Sequence, residues 1–204
     1  NADDEIDLIV EGLPSTWTYC VLFSGNCLNS LNIAKGATTE FVLEITTPDN
    51  EAANTNGLFL NLVGTSSLNN KFETSQSFKI MTNPTYLFSV DIPSDAKTGV
   101  SGDTIPFQLT IKNIGNDVDY ITLPSPTLPS GWIGTYTESS FTLQPQDSKT
   151  VYLNVQVPAN VFGGNSTINS KISSDQSNQM TSIDFTVYVE EKADIDVELK
   201  TTAG

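Results

Sequence analysis

Apolar and polar residues alternate in three segments of the second half of the chain. The apolar members of these segments are Ile105, Phe107, Leu109 and Ile111; Val151, Leu153, Val155 and Val157; and Ile183, Phe185, Val187 and Val189. A period of two is typical of a strand that buries one face, and clusters of Gly, Pro, Asn and Ser separate the segments. About seven short strands at this spacing predict an antiparallel β-sandwich.

The same order of apolar and turn residues occurs twice along the chain. The matching blocks are 13–17 with 128–132 at an offset of 115 residues, 31–48 with 141–158 at 110, 58–62 with 168–172 at 110, and 78–82 with 185–189 at 107. Similar blocks in one order indicate a tandem repeat rather than chance similarity.

The repeat predicts two immunoglobulin-like domains, at 1–83 and 84–192. The first has no counterpart of the segment 86–112, so we expect it to lack its first strands. Residues 193–204 begin with an alternating segment and are expected to be the first strand of a following repeat. The predicted fold class is therefore all-β, with tandem immunoglobulin-like β-sandwiches in a fragment of a longer protein.

Charge limits the partners that the chain can bind. It has 24 acidic residues, nine Lys, no Arg and no His, which gives a net charge of -15. Binding to nucleic acid needs a basic face, so we exclude nucleic acid as a partner. No apolar run reaches the roughly 18 residues that predict a membrane-spanning helix. We expect a parent protein that is extracellular or at the cell surface, with any membrane or wall anchor outside this segment.

Two cysteines, Cys20 and Cys27, lie where the first repeat has five residues more than the second. The turn residues at 24–26 between them predict a hairpin that brings the two thiols together. We expect a disulfide, which implies an oxidising compartment, and the alternative is two free thiols. No His or further Cys is present to complete a zinc site.

The second repeat has a recognisable order of motifs: Phe107 to Gly115, the Leu-Pro-Ser-Gly-Trp sequence at 128–132, then Leu143 to Val157, a Gly-rich turn and a last strand. This order resembles the NPCBM-associated domain found beside alpha-galactosidase modules, and related immunoglobulin-like repeats of bacterial and archaeal cell-surface and S-layer proteins. The resemblance covers nearly all of 84–190, and its later two thirds recur in 4–83. It implies a spacer without catalytic residues.

Residues that suggest chemistry have simpler structural interpretations. The sequence offers no His base and no nucleophile elbow, so we expect no enzyme activity. The carboxylate pairs Asp117 with Asp119 and Asp194 with Asp196 are expected on solvated strand faces. Exposed Trp side chains can stack on sugars, but Trp17 and Trp132 hold equivalent places in the two repeats, so we expect them in the core.

Calcium and glycan are the remaining candidate ligands. The calcium candidates are Asp49, Glu51, Asn54 and Asn56 in one loop, and Glu190, Glu191, Asp194 and Asp196 at the end of the second repeat. Both groups offer oxygen ligands but lack the spacing of a known calcium loop, so a solubilising acidic surface is the default interpretation and no cofactor is expected. Asn165 begins the sequon Asn-Ser-Thr in a predicted turn, where it could carry a glycan.

Two functions follow from these observations. The first is a structural spacer whose partners are other domains of its parent protein, since the linkers at 81–85 and 190–193 are short. The second is a module that binds a glycan or a protein partner through loops at one end of a sandwich. In either case, the missing strands predict an exposed sheet edge, with which residues 193–199 could pair in the same chain or in another copy. The alternative is that the first repeat is a self-sufficient shorter sandwich and that these residues extend the second.

Overall fold

The computed structural model describes residues 3–70 and 72–191, which form strands, turns and loops. The chain divides after Thr85 into two compact units, here called unit one and unit two. No helix in the described part could cross a membrane. The all-β class is therefore confirmed, whereas the predicted strand within 193–204 lies outside the described residues.

Unit one contains seven strands among its described residues. They are β1 (Asp4–Glu11), β2 (Thr18–Phe23), β3 (Asn26–Leu28), β4 (Ser30–Ile33), β5 (Val42–Thr46), β6 (Asn54–Ser66) and β7 (Glu73–Thr82). Sheet 1A has the order β4-β1-β6-β7, and sheet 1B has the order β3-β2-β5. The ladders of both sheets are antiparallel.

Unit two contains nine strands within the part that the structure describes. They are β8 (Phe88–Asp91), β9 (Ala96–Val100), β10 (Thr104–Asn113), β11 (Asp119–Thr122), β12 (Ile133–Tyr136), β13 (Ser140–Leu143), β14 (Ser148–Gln156), β15 (Gly164–Ser174) and β16 (Met180–Glu190). Sheet 2A has the order β13-β11-β15-β16-β9, and sheet 2B has the order β12-β14-β10-β8. Only the pairing of β9 with β16 is parallel among these described ladders.

One hydrophobic core joins the two sheets of unit two. It contains the inward residues of β10 and β14 from sheet 2B, and those of β11, β15 and β16 from sheet 2A. The rings of Phe107 and Phe185 meet across this core with their centroids 4.6 Å apart. The period-two pattern therefore predicts the buried faces of β10, β14 and β16 correctly.

The core of unit one is smaller. Its buried cluster contains Leu8, Val21 and Leu31, and the apolar side chains packed around that cluster are only partly buried. Those partly buried residues are Ile6, Tyr19, Leu28, Phe41, Leu43 and Leu62. The two sheets of unit one are thus less completely covered than those of unit two.

The ladders of the two units share the same register. Ile6 pairs with Leu31 in unit one, and the residues 115 and 110 positions later, Ile121 and Phe141, pair in unit two. The same two offsets relate the ladder of β2 with β5 to that of β12 with β14. Sheets 1A and 1B are therefore the counterparts of sheets 2A and 2B.

The sequence alignment of β6 with β15 is wrong by two residues. Leu60 pairs with Phe78 as Ile168 pairs with Phe185, so the offset for this strand is 108 and not 110. An irregularity in the ladder between Asn54 and Leu58 accommodates extra residues in β6. A shift of two preserves the inward face of a strand, which is why apolar alternation could not reveal the error.

Candidate functional site

The cysteines form the predicted disulfide. Cys20 on β2 and Cys27 on β3 are bonded, with their Cα atoms 5.4 Å apart. The hairpin between the two strands turns at Ser24 and Gly25, whose φ angles of 51° and 80° suit a tight two-residue turn. Unit two has no counterpart of β3 in the described part, so the bridge belongs to the inserted hairpin of unit one.

Both tryptophans are buried, as the sequence predicts. Trp17 is 6% exposed and Trp132 is 7% exposed, so neither presents a ring face for stacking on a sugar. Trp132 belongs to the core of unit two. The indole Nε1 of Trp17 donates a hydrogen bond of 2.8 Å to Oε2 of Glu51.

Two of the four calcium candidates of unit one form hydrogen bonds within the protein. Glu51 accepts the hydrogen bond from Trp17, and Oδ1 of Asn54 accepts one of 2.9 Å from the main-chain N–H of Gly57. Asp49 lies before β6, whereas Asn56 lies within it. No three Asp, Glu, His or Cys side chains of the described residues are grouped so that they could share a metal ion.

The second group of calcium candidates is only partly described. Glu190 is the last residue of β16, and Glu191 follows it with an exposed side chain. Asp194 and Asp196 lie outside the described residues.

Asn165 lies in a strand and not in a turn. It is the second residue of β15 and pairs with Tyr188 of β16, because the ladder begins at Gly164. The Gly-Gly pair at 163–164 therefore ends the turn earlier than the sequence indicates. The side chain of Asn165 is exposed.

Asp119 contradicts the prediction of a solvated carboxylate. Its side chain is fully buried, because it shares the inward face of β11 with Ile121. Its Oδ1 atom accepts a hydrogen bond of 2.7 Å from Oγ of Ser174, whereas Oδ2 has no hydrogen-bond partner among the described residues. The inward parity of position 119 was visible in the sequence and could have identified this residue.

An equivalent Asp–Ser pair occurs in unit one. Oδ2 of Asp4 accepts a hydrogen bond of 2.6 Å from Oγ of Ser66, and these residues are the counterparts of Asp119 and Ser174. Each Ser also accepts a main-chain hydrogen bond from the residue three positions later, 3.2 Å in unit one and 3.1 Å in unit two. The pair therefore ties the turn of one hairpin to the neighbouring strand in both units.

Tyr120, Tyr136 and Tyr152 do not form one shared surface in unit two. The hydroxyl of Tyr136 lies 2.7 Å from Oγ of the buried Ser170, and burial raises the pKa of this phenol although the hydrogen bond to Ser170 opposes the shift. Tyr120 and Tyr152 are partly exposed but belong to sheets 2A and 2B, respectively. They provide no common platform for a ligand.

The most distinctive surface of unit one is its incomplete inner face. Phe41, Leu43 and Ile45 are half-buried. Their counterparts in unit two are Val151, Leu153 and Val155, which are at most 1% exposed. Unit one also has an open groove of about 510 Å³, which is lined in part by Asp4, Ile6, Ile33, Gly64, Ser66 and Phe72. We call residues 38–46 the open edge and this space the unit-one groove.

Comparisons with known proteins leave the family open. No protein-family model matches the chain. No curated protein matches it either.

Several solved structures match parts of the chain at low similarity. A family 123 glycoside hydrolase from Clostridium perfringens is 11% identical with a TM-score of 0.43, and the match covers 52% of this chain and 27% of the hydrolase. A protein of unknown function from Porphyromonas gingivalis W83 is 15% identical with a TM-score of 0.33, over 90% of this chain and 84% of that one. Escherichia coli alpha-2-macroglobulin is 14% identical with a TM-score of 0.38, over 76% and 14%. All three TM-scores are below 0.5.

Proposed function

We propose that this chain is a non-catalytic structural module of a larger secreted or cell-surface protein, built from two tandem immunoglobulin-like β-sandwiches. The observation that carries the proposal is the shared ladder register of the two units. One scaffold used twice in succession is typical of proteins that space or anchor other domains. The resemblance of the second repeat to NPCBM-associated domains supports the same role.

Packing of the conspicuous side chains supports a structural role. The two Trp rings lie in the interiors of their units, and the Asp–Ser pairs tie hairpins to strands. The disulfide favours an oxidising location, as outside the cell. A net charge of -15 keeps such a surface soluble without requiring a cation.

Calorimetric titration tests this role against the alternative of a binding module. The chain would be titrated with calcium and with a panel of cell-wall and mucin-type oligosaccharides. We expect no saturable heat from any of them and no change in the melting temperature of either unit. Saturable binding of one oligosaccharide, together with a raised melting temperature, would show that the chain is a glycan-binding module and not a spacer.

A further inference from the structure

The second unit shows what is missing from the first. In unit two, β14 pairs with β10 along its whole length, from Ser148 to Gln156. The counterpart of this strand is the open edge, 38–46, of which only Val42 to Thr46 is strand, paired with β2. Residues 38–41 have no ladder partner in the described part. Among the described residues, the open edge therefore pairs with a strand, β2, on one side only.

The main-chain groups of the open edge have a defined direction. In unit two, both the N–H and the C=O of Tyr152 bond to Thr137, on the β12 side of β14. Main-chain groups alternate in direction along an antiparallel strand, so residues 151 and 153 face β10. By the shared register, Phe41 and Leu43 direct their main-chain groups to the open side in unit one. A strand added there would find donors and acceptors already aligned.

The inner face of unit one also lacks a neighbour. Phe185 is fully buried against Phe107 of β10, whereas its counterpart Phe78 is half-buried. Ile121 is fully buried in the core that includes Ile111 of β10, whereas its counterpart Ile6 lines the unit-one groove. Each difference occurs where a β10 side chain contributes to the core in unit two. One absent strand explains both.

We infer that unit one binds an extended strand with the chemistry of β10, antiparallel along the open edge, by β-strand addition. Its inward positions carry large apolar residues, as Ile105, Phe107, Leu109 and Ile111 do in unit two. Its outward positions face Glu40 and Glu44 in the register of unit two, so basic residues are favoured there. This inference rests on the comparison of the two units and not on the proposed spacer role.

The occupant comes from outside residues 1–204. A second copy could offer its own β10 only by removing it from the core of unit two, where its four inward side chains are at most 5% exposed. The sequence of 193–199 is a poor substitute, because the offset of 107 aligns Ile195 and Val197 with Phe88 and Val90 of β8. In unit two, β8 pairs with β10 and not with β14.

A synthetic peptide of the sequence Thr104–Asn113, fluorescently labelled and titrated into the full chain, tests the inference by anisotropy. We expect saturable binding, with slower amide exchange of residues 39–45. A peptide with Phe107→Lys and Leu109→Lys is expected to bind at least tenfold more weakly. In its matched control, Gln108→Lys and Thr110→Lys place the same added charge at outward positions. This control peptide should bind as well as the parent peptide or better.

A pair of chain variants tests the direction of binding. Thr39→Pro removes a main-chain donor that faces the open side and lies outside the ladder with β2, so we expect at least tenfold weaker binding of the peptide. Glu40→Pro removes a donor that faces the other way and should change binding by less than about threefold. Equal effects of the two substitutions would overturn the inferred register.

Three other outcomes would overturn the inference. The first is absence of saturable binding by the parent peptide. The second is equal affinity of the inward and outward Lys peptides, since that would show binding without insertion of apolar side chains. The third is self-association of the chain, measured by sedimentation, that the peptide competes away, since a second copy would then be the occupant.

Discussion

Buried polar side chains hold corresponding turns in the two units. The carboxylates of Asp4 and Asp119 accept hydrogen bonds from Ser66 and Ser174, respectively. The environments differ, because Asp119 is fully buried and Asp4 is half-buried. The same interaction should therefore contribute more to stability in unit two, where both the Asp and the Ser are shielded from water.

Substitution of these acids tests that difference. We expect Asp119→Ala to lower the free energy of unfolding of unit two by about 2 kcal/mol. Asp4→Ala should cost unit one about half as much, because the half-buried Asp4 carboxylate is already partly exposed to water. Urea unfolding followed separately for the two units provides the measurement, and Asp119→Asn is the control that retains an oxygen acceptor. A larger loss from Asp4→Ala would contradict the account.

Tyr136 should make unit two sensitive to alkaline pH. Burial raises its folded-state pKa above 10.0, so the folded state holds the proton more tightly than the unfolded state. This contribution to stability is complete below about pH 10 and is lost as pH rises through the folded pKa. Tyr136→Phe should reduce the alkaline loss of stability, at a cost of about 1 kcal/mol near neutral pH from the lost hydrogen bond to Ser170. An unchanged pH profile would contradict this assignment.

Trp132 should be a large contributor to the stability of unit two. Its ring is 7% exposed and packs in the core, so Trp132→Ala is expected to cost roughly 3 to 5 kcal/mol. The denaturant midpoint of unit two measures the loss, and Tyr152→Ala, at a partly exposed position, is the control. A midpoint unchanged by Trp132→Ala would restore the interpretation of this ring as a ligand platform.

The hairpin of β2 and β3 is closed by the disulfide between Cys20 and Cys27. The bridge encloses about eight residues, for which the chain-entropy relation gives a stabilisation of about 2.5 kcal/mol. The double variant Cys20→Ser with Cys27→Ser should lose about this amount in unit one, and unit two should keep its denaturant midpoint. Titration of the unfolded, unreduced parent chain should find no free thiol, and two thiols per chain would refute the bridge.

Sequence alone predicts several elements because a buried strand face imposes a period of two. The offsets of 115 and 110 also predict the shared registers around Ile6 and Leu43, since both repeats keep large apolar residues there. Prediction is wrong for the alignment of β6, where small and polar residues weaken the pattern and the ladder is irregular. It is also wrong for Asp119, because a carboxylate generally favours water whereas this position of β11 faces the core.

The whole chain contains two versions of one scaffold that differ in completeness. Unit two has β8, β9 and β10, and the described residues of unit one contain no counterpart of these strands. The sequence repeat predicts that β5 lacks a second pairing strand, because 86–112, which contains β10, has no match in the first half. The effect of the missing strand on packing is visible only in the structure. The same inward positions are half-buried in unit one and fully buried in unit two.

Incomplete packing should make unit one the less stable of the two. Fewer apolar side chains are fully removed from water there, so it gains less from burial. In thermal unfolding with the disulfide intact, we expect two transitions, the first from unit one. Trp132→Ala should lower the midpoint temperature of the second transition only. A single transition, or an earlier transition that Trp132→Ala shifts, would contradict this order.

Amide hydrogen exchange of the free chain tests the central claim, that unit one is the same scaffold with an uncovered edge. Phe41 and Leu43 direct their N–H groups to the open side, whereas Val151 and Leu153 direct theirs to β10. We predict exchange on the order of 100-fold faster at Phe41 and Leu43 than at Val151 and Leu153. Equal protection at the two pairs of positions would contradict the account, because it would show that the open edge is already covered.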